Sequence, residues 1–365
     1  MLTVIIFLVV LAILIFVHEL GHFLFARLCG IRVDAFKIGF GPKIFAWTPK
    51  GKDGKKGETE YGVNLIPFGG YVKIFGETPD AESCVGVDSK RSLVHKSKWQ
   101  QVLVLAGGVL FNVLFAWLLY VGLFSHGVTA TADGFSKYAD YFSNQRIMIT
   151  DVLKDSPADK AGLRSGDVLV GTQSIVQIQN TISSSKGAVI PIRYERNGKT
   201  VDAEIAPKQE IVPEKYAIGI AMSDVVDMKL PFFVAVWEGA HYTGVMLKET
   251  VTGLYGFVAQ IFHGKANFSE ISGPVGIAGV VGDAARLGIT YLLMITALIS
   301  INLAIINLIP FPALDGGRIF FVIIESIIRR PIPAKFTNMV NLVGFSLLML
   351  LMVVVTYKDV VKLFK

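Results

Sequence analysis

The chain has 365 residues, of which 52% are hydrophobic and 18% are charged, and its formal net charge is +6 at pH 7. Soluble domains average about 45–50% apolar residues even when glycine is counted, so this composition indicates a membrane protein. The basic residues lie beside apolar segments and form no single stripe. This pattern argues against nucleic-acid binding and favours membrane orientation by positive charge.

The first apolar segment, Leu2–Leu28, predicts a membrane-spanning helix, since about 20 residues cross a bilayer. It contains the sequence V-H-E-L-G-H, in which His18 and His22 are four residues apart and share one helical face. Two imidazoles in this arrangement bind one Zn²⁺, and Glu19 beside them is placed to act as general base. Because Met1–Val17 carries no charged side chain, these groups lie within a membrane helix, where polar residues are costly and usually functional.

Residues 31–98 contain twelve lysines and arginines, and the positive-inside rule places them in the cytoplasm. Tyr61–Phe75 predicts two short strands around a turn at Pro67 and Gly69–Gly70, and the earlier run Phe36–Phe45 predicts a third strand. Two interpretations stay open. The segment is either an ordinary cytoplasmic hairpin or an apolar hairpin that dips toward the active site and offers a strand edge to substrate. In the second case Gly69 and Gly70 are candidate substrate-binding residues.

The second predicted span, Val102–Leu123, opens with small residues that allow close helix packing. It ends a first membrane half formed by residues 1–124. Asn112 within this span is a polar group that needs a partner in lipid. It is a candidate substrate-binding residue, and packing between helices is the alternative role.

Residues 125–227 lack long apolar segments and predict a small extracytoplasmic domain of α+β type. Ser156 and Pro157 are typical of the start of a short helix between two strands. Asn197-Gly198 is typical of a type I′ turn in a hairpin over Ile190–Ile205. The pattern S-P-A-x-x-A-G-L-x-x-G-D, present once, resembles a PDZ domain of the kind appended to proteases. Such a domain either binds a peptide as an added strand or obstructs bulky substrates.

The rest of the chain predicts a linker and a second membrane half. In the linker, residues 228–285, the segment Phe232–Phe262 mixes aromatic with charged residues and predicts an amphipathic helix at the membrane surface. The second half, residues 286–365, contains two further predicted spans, Ile289–Ile309 and Val340–Thr356. The predicted fold is therefore a multi-pass helical membrane protein with four transmembrane helices, an inserted PDZ-like domain and a membrane-associated β-hairpin.

A catalytic zinc site needs a third protein ligand and one open position for water. Asp315 is the preferred candidate, because it is acidic, follows the third span at a glycine-rich turn, and shares the cytoplasmic side with the histidines. Glu270 and Asp283 are rivals, but they precede the third span and fall on its opposite side. Asn307, at the end of that span, either hydrogen-bonds the substrate or the developing oxyanion, or pairs with a neighbouring helix.

V-H-E-L-G-H on the first span, N-L-I-P-F-P-A-L-D-G-G after the third, and a single PDZ-like insert together resemble the bacterial site-2 proteases. The likeness covers nearly the whole chain and is closest to the regulator-of-sigma-E and sporulation or cell-division protease branch. It implies that His18, His22 and Asp315 are zinc ligands. It also implies that Glu19 is the catalytic glutamate and that Asn307 is an asparagine that binds substrate. It also implies that the hairpin around Gly62–Phe75 lies near the active site.

The resemblance further implies a zinc enzyme of the bacterial cytoplasmic membrane that cleaves single-span membrane proteins, such as anti-sigma factors or remnant signal peptides. Its PDZ-like domain would be extracytoplasmic and contact a peptide or substrate ectodomain, its active site would face the cytoplasmic side of the bilayer, and no nucleic acid is an expected partner. The alternative is a non-enzymatic membrane adaptor that captures peptides through this domain. A structural zinc site fills all four positions with protein groups, and the sequence suggests no fourth ligand.

Overall fold

The computed structural model describes residues 2–50, 57–78, 81–171, 174–196, 198–212, 215–265 and 272–363. The chain divides into two compact units, residues 1–123 with 236–365, and residues 124–235. The helices are α1 (Leu2–Leu28), α2 (Ala81–Val85), α3 (Lys98–Leu105), α4 (Gly107–His126), α5 (Pro157–Lys160), α6 (Ile175–Ser184), α7 (Phe232–Phe262), α8 (Pro274–Leu287), α9 (Ile289–Leu308), α10 (Asp315–Ile328) and α11 (Ala334–Leu363). The strands are β1 (Val33–Trp47), β2 (Glu60–Ile74), β3 (Val128–Thr131), β4 (Phe142–Val152), β5 (Val168–Leu169), β6 (Ile190–Arg196), β7 (Lys199–Ile205), β8 (Lys208–Val212), β9 (Lys215–Ala217) and β10 (Ile220–Met228).

Within the described residues four helices are long and apolar enough to cross a membrane, α1, α4, α9 and α11. The predicted number of spans is therefore confirmed. The start of the second span was wrong: it was placed at Val102, whereas α3 ends at Leu105 and α4 begins at Gly107. The cause is a helix start at Ser97, whose hydroxyl accepts a hydrogen bond from the Gln100 N–H at 3.3 Å and so begins a separate short helix.

The helix α8 was not predicted, because the whole of residues 228–285 was interpreted as linker. Pro274 occupies its first turn, where a missing N–H costs nothing. Val281 of α8 joins Val10 and Leu14 of α1 in a buried apolar cluster. The region before the third span thus packs against the first span.

The predicted helix Phe232–Phe262 is present as α7. The Tyr242 ring meets the Tyr120 ring of α4 edge to face, with 4.9 Å between centroids. Further along, the Thr250 hydroxyl donates to Asn302 Oδ1 of α9 at 3.2 Å. These contacts attach α7 to two of the candidate spans, and its location at a membrane surface stays a prediction.

The strands β1 and β2 form a small sheet in which each strand folds back on the other. Phe36 pairs with both Val72 and Tyr61, so the first half of β1 lies between the two halves of β2. The bends occur at Gly39 and Gly69, whose φ angles of +84° and +99° are rarely adopted by other residues. The strand predicted at Phe36–Phe45 is confirmed as part of β1, whereas the two short strands predicted in Tyr61–Phe75 form one strand, β2, that bends at Gly69. The last half of β2 is left at the edge of the sheet.

A cluster of three charged side chains, Glu60, Lys37 and Lys43, stabilises this sheet. Glu60 Oε1 lies 2.5 Å from Lys37 Nζ and 2.8 Å from Lys43 Nζ. The two ammonium groups, Lys37 above all, hold the pKa of Glu60 at about 2. Lys37 lies in the first half of β1 and Lys43 in the second, and both halves pair with the first half of β2, so this shared carboxylate favours the folded-back arrangement.

The second unit contains a six-stranded sheet with the order β3-β10-β4-β5-β6-β7. The predicted helix start is confirmed, since the Ser156 hydroxyl accepts the Asp159 N–H at 3.2 Å and Pro157 follows it. The predicted hairpin over Ile190–Ile205 is confirmed by the pairing of β6 with β7, although Asn197 of its turn lies outside the described residues. The likeness to a PDZ domain stays a prediction.

Candidate metal centre

The two histidines of the H-E-x-x-H motif and Asp315 bring three ligand atoms together. His18 Nε2 and His22 Nε2 are 3.3 Å apart, and Asp315 Oδ2 is 3.1 Å from the first and 3.3 Å from the second. Asp315 Oδ2 is buried and accepts no hydrogen bond from a described residue. In the described part of the chain this is the one group of histidine, cysteine and carboxylate side chains that is close enough to hold a metal ion.

His22 is oriented by the backbone of α3. Its Nδ1 lies 2.9 Å from the carbonyl oxygen of Val104. Because a carbonyl oxygen only accepts hydrogen bonds, Nδ1 carries the proton, and Nε2 presents its lone pair to the centre. The imidazole is therefore held in the tautomer that binds a metal through Nε2.

His18 is oriented by Asn112 of α4, whose side-chain amide lies 3.1 Å from His18 Nδ1. Asn112 is completely buried, and its Oδ1 has no hydrogen-bond partner among the described residues when Nδ2 faces the histidine. With the amide turned over, Oδ1 accepts the proton of Nδ1 and Nε2 is left with its lone pair. The structure thus brings this candidate substrate-binding residue to the side of His18 that faces away from the centre.

Glycines allow α4 to approach α1 at the level of the histidines. A Cβ added to Gly108 would lie 2.4 Å from His22 Nε2 and 2.5 Å from His18 Cε1, and one added to Gly21 would lie 2.2 Å from the Gly107 carbonyl oxygen. Atoms cannot approach so closely, so any side chain at these positions would separate the helices. The small residues that begin α4 therefore permit the close packing predicted for them.

Asp315 is the first residue of α10, which begins shortly after α9 ends at Leu308. Gly316 and Gly317 make this reversal possible. A Cβ on the first would lie 2.3 Å from the Leu308 carbonyl oxygen, and a Cβ on the second 2.2 Å from the Phe311 carbonyl oxygen. The D-G-G sequence thus folds the start of α10 against the end of α9 and carries the carboxylate to the histidines.

The loop before Asp315 is held by α11. Ala313 has a φ angle of +73°, a left-handed conformation that costs a non-glycine residue about 1–2 kcal/mol. Its N–H donates to Asn341 Oδ1 at 3.2 Å, and Gly344 lies against Pro312. Sequence reasoning missed this contact, and the only available signal was that Asn341 is a polar residue inside a predicted span.

Glu19 faces the edge of the small sheet. Its carboxylate accepts a hydrogen bond from the Val72 N–H, and a Cβ added to Gly70 would lie 3.3 Å from Glu19 Cγ. A Cβ on Gly69 would instead lie 2.1 Å from the Phe40 ring. Of the two glycines that were candidates for substrate binding, Gly70 therefore lies beside Glu19, whereas Gly69 forms the bend that brings the strand there.

Asn307 lies in the last turn of α9, and its half-buried side chain forms no hydrogen bond with the described part of the chain. It is thus available to a ligand. Of the two rival metal ligands, Glu270 lies outside the described residues. Asp283 lies on α8, is 74% exposed and pairs with Arg286 at 3.5 Å, so it takes no part in the cluster.

Comparison with known proteins identifies the family of this chain. The model of peptidase family M50 matches residues 6–351, which include both histidines and Asp315. The chain belongs to peptidase family M50. This confirms the resemblance to site-2 proteases on which the predicted ligand set partly rests.

Relatives within family M50 match the chain along nearly its whole length. A Clostridium perfringens protein is 35% identical over 355 residues, 95% of each chain. A Clostridium acetobutylicum protein is 32% identical over 359 residues, 96% of this chain and 94% of that one. Both carry the provisional name of a zinc metalloprotease. The zinc metalloprotease RasP of Shouchella clausii is 28% identical over 442 residues, 99% of each chain.

Proposed function

We propose that this chain is an intramembrane zinc metalloprotease. The observation that carries the proposal is the triangle of His18 Nε2, His22 Nε2 and Asp315 Oδ2, with Glu19 beside it on a helix apolar enough to cross a membrane. A catalytic zinc has three protein ligands and one open position. Membership of family M50 and the names of the relatives support the same activity and the same cofactor, Zn²⁺.

The donor set fits zinc. Atoms bound to zinc at about 2.0–2.1 Å in a tetrahedron lie about 3.3 Å from one another, and the three atoms here are separated by 3.1 to 3.3 Å. Asp315 Oδ2, buried and without a hydrogen-bond donor in the described residues, is the oxygen such an ion would satisfy. Zinc bound there supplies Lewis acidity, which lowers the pKa of water to about 7.

The protein's own groups then have distinct roles. Glu19, held by the Val72 N–H, takes the proton from the attacking water and returns it to the leaving amine. Asn307 donates its amide N–H to the scissile carbonyl oxygen and stabilises the negative charge that develops there. Its free side chain at the end of α9 supports this assignment.

The substrate must be extended before it is cut, because a helix hides its carbonyl groups in internal hydrogen bonds. The last half of β2, Gly69–Ile74, pairs with β1 on one side and lies near Glu19. An unwound substrate segment adds to this edge as a further strand, and Gly70 leaves room for it. The substrates we propose are single-span membrane proteins such as anti-sigma factors or remnant signal peptides, as the likeness to site-2 proteases implies.

Charge supports an orientation in the bacterial cytoplasmic membrane. The segment after α1 carries twelve basic residues from Arg32 to Lys98, and Arg329, Arg330 and Lys335 follow α10. Basic residues beside membrane spans stay in the cytoplasm. The metal centre, close to the ends of α1 and α9 that precede these segments, then faces the cytoplasmic side, and residues 125–227 lie outside the cytoplasm.

The second unit supports a peptide-binding role, and this is also the basis of the adaptor alternative. Pairing of β10 with β3 runs from Val225 to Met228, so the edge at 220–223 has no strand neighbour on that side among the described residues. A cavity of about 710 Å³ between this edge and α6 is lined by Ile182, Gly219 and Met222, among others. An extracytoplasmic peptide or substrate ectodomain fits there as an added strand, as in PDZ domains. The open edge favours this role over obstruction of bulky substrates.

The decisive experiment compares wild type with Glu19→Gln and Asp315→Asn for cleavage of a tagged single-span peptide in detergent, with zinc content measured on each. We expect Glu19→Gln to keep zinc and lose cleavage, and Asp315→Asn to lose both. Asp283→Asn is the matched control, because this exposed aspartate lies outside the cluster. Equal cleavage by wild type and Glu19→Gln would exclude the proposed mechanism, and zinc without any cleavage, together with peptide binding by the second unit, would favour the adaptor.

A further inference from the structure

A second cavity, of about 600 Å³, lies between α3, α10 and α11, and none of the three proposed ligand residues lines it. Its wall includes Lys98 of α3, Arg318 of α10, and Arg329 and Arg330 from the segment that joins α10 to α11. Basic residues are common beside membrane spans on the cytoplasmic side, but here four of them line one cavity, and none of them belongs to the proposed ligand set.

Both acidic side chains in the wall are already neutralised. Glu325 binds Lys98 Nζ at 2.5 Å with one oxygen and the Ile332 N–H at 2.9 Å with the other. Glu77 pairs with Arg318. In these two ion pairs, two negative charges neutralise two of the four positive charges in the wall.

Two positive charges remain in the wall. Arg329 and Arg330 form no ion pair with any carboxylate in the described ranges, and both side chains are exposed. The cavity therefore carries an unbalanced charge of two and suits an anion.

The position of the cavity indicates which anion. It adjoins the first turns of α11, which begins at Ala334 and is one of the candidate spans. In the proposed orientation this is the depth of the lipid headgroups at the cytoplasmic surface. Large apolar side chains near the cavity are exposed, with Ile328 at 50%, Phe336 at 50% and Met339 at 58%, and they provide a surface for acyl chains.

We propose that this cavity binds the phosphate headgroup of an anionic phospholipid of the cytoplasmic leaflet, with Arg329 and Arg330 as its counter-ions. Basic pockets between membrane helices on the cytoplasmic side bind such headgroups. The cytoplasmic flank of a single-span substrate is a poorer occupant, because the rule that orients membrane proteins makes that flank basic as well. A bound lipid would join α10, which begins at Asp315, to α11.

The test measures lipid binding to the full-length protein in neutral detergent by native mass spectrometry, with phosphatidylglycerol, phosphatidylcholine and inorganic phosphate as separate probes. All variants are made in the Glu19→Gln background, so the outcome does not depend on proteolysis. We expect wild type to prefer phosphatidylglycerol, and R329Q/R330Q to bind it about 30-fold more weakly, since each basic residue near a membrane surface contributes about 1 kcal/mol.

Controls separate this site from general surface charge. K335Q, on the first turn of α11, and R286Q, on α8, remove exposed charges that do not line the cavity, and we expect both to bind phosphatidylglycerol as wild type does. R329K/R330K keeps the charge and should keep most of the affinity, which would show that a loss in the glutamine pair is not misfolding. The proposal is overturned if R329Q/R330Q retains wild-type affinity, if the controls weaken binding equally, or if inorganic phosphate alone competes fully, since the site would then serve a free anion. R329Q/R330Q is also made in the active enzyme. If its lipid affinity is unchanged but it cleaves a peptide with an acidic cytoplasmic flank more slowly, the cavity is assigned to substrate instead.

Discussion

Gly344 of α11 contacts Pro312 so closely that a Cβ added to the glycine would lie 2.5 Å from the proline Cβ. One turn earlier, Asn341 accepts the N–H of Ala313 at 3.2 Å. The last candidate span therefore fixes the loop that precedes Asp315. A helix that contributes no residue to the candidate metal centre thus helps to position Asp315.

Replacement of Asn341 by leucine should weaken zinc binding. The substitution leaves the Ala313 N–H without its acceptor in a half-buried loop, at a cost of about 1 kcal/mol. The loop then relaxes from its left-handed conformation and shifts Asp315. We expect a loss of zinc affinity of about 10- to 100-fold, as for other groups that orient metal ligands, measured by competition with a chromophoric chelator. Asn338→Leu, on the same helix but exposed, is the control, and an equal loss in both variants would contradict this role.

The three side chains that cluster as proposed metal ligands could be singled out from the sequence because each carries a local signal. His18 and His22 are one helical turn apart, and Asp315 stands before two glycines that only a tight reversal requires. Their supports could not be predicted in the same way. Asn112 and His18 are 94 residues apart, so only the packing of α4 on α1 brings them together.

The contrast between local sequence signals and tertiary packing also bears on the two helices, α8 and α10, that were not predicted. The helix α8 was missed because its composition is close to that of the preceding linker, and its helical state depends on burial of Val281 against α1. The helix α10 was not predicted, because only the two spans were predicted within residues 286–365. For α8, tertiary contacts determine the structure, whereas the amphipathic pattern of α10 is a local signal that the sequence did offer.

Asn112 offers a second test of the metal centre. Asn112→Leu removes the partner of His18 Nδ1, so the imidazole can rotate or change tautomer, and we expect zinc affinity to fall about 10- to 100-fold. Asn112→Asp should restore most of it, because a carboxylate accepts the same proton. Ser300→Ala is the control, since the Ser300 hydroxyl donates to the main-chain carbonyl oxygen of Asn112, at 2.8 Å, and not to its side chain. If Asn112→Leu bound zinc normally but raised KM for the peptide, Asn112 would contact substrate instead.

Gly70 tests the proximity of the strand to the general base. A Cβ here would lie 2.9 Å from Ile15 Cγ2 and 3.3 Å from Glu19 Cγ. Gly70→Val should therefore displace Glu19 or the strand and lower kcat at least tenfold, an effect of about 1.4 kcal/mol, while zinc content stays unchanged. Gly122→Ala, at a position with no atom within 4 Å of the added Cβ, should leave cleavage unaffected. Normal cleavage by Gly70→Val would show that this strand is not beside the reacting bond.

The stability of the second unit should depend on pH through the charge of Asp227. Arg146 donates to it from two nitrogens, each at 2.9 Å, and Thr129 donates at 2.8 Å. These hydrogen bonds, that of Arg146 above all, lower the pKa of Asp227 to about 2, compared with about 3.9 in an unfolded chain. Since the folded state has the lower pKa, this carboxylate stabilises the unit above about pH 4, and the contribution is lost as the pH falls through 2.

Asp227→Asn should therefore destabilise the strands β4 and β10 at pH 6, by about 1 kcal/mol for a partly exposed pair, and much less at pH 2. Hydrogen exchange of peptides from these strands, measured in the full-length protein at both pH values, tests this directly. Asp224→Asn, on the same strand but without an ion pair to any described residue, should change protection at neither pH. Equal loss of protection by Asp227→Asn at pH 6 and pH 2 would show that its effect is on packing, because most of the stability contributed by the Asp227 charge is lost at the lower pH.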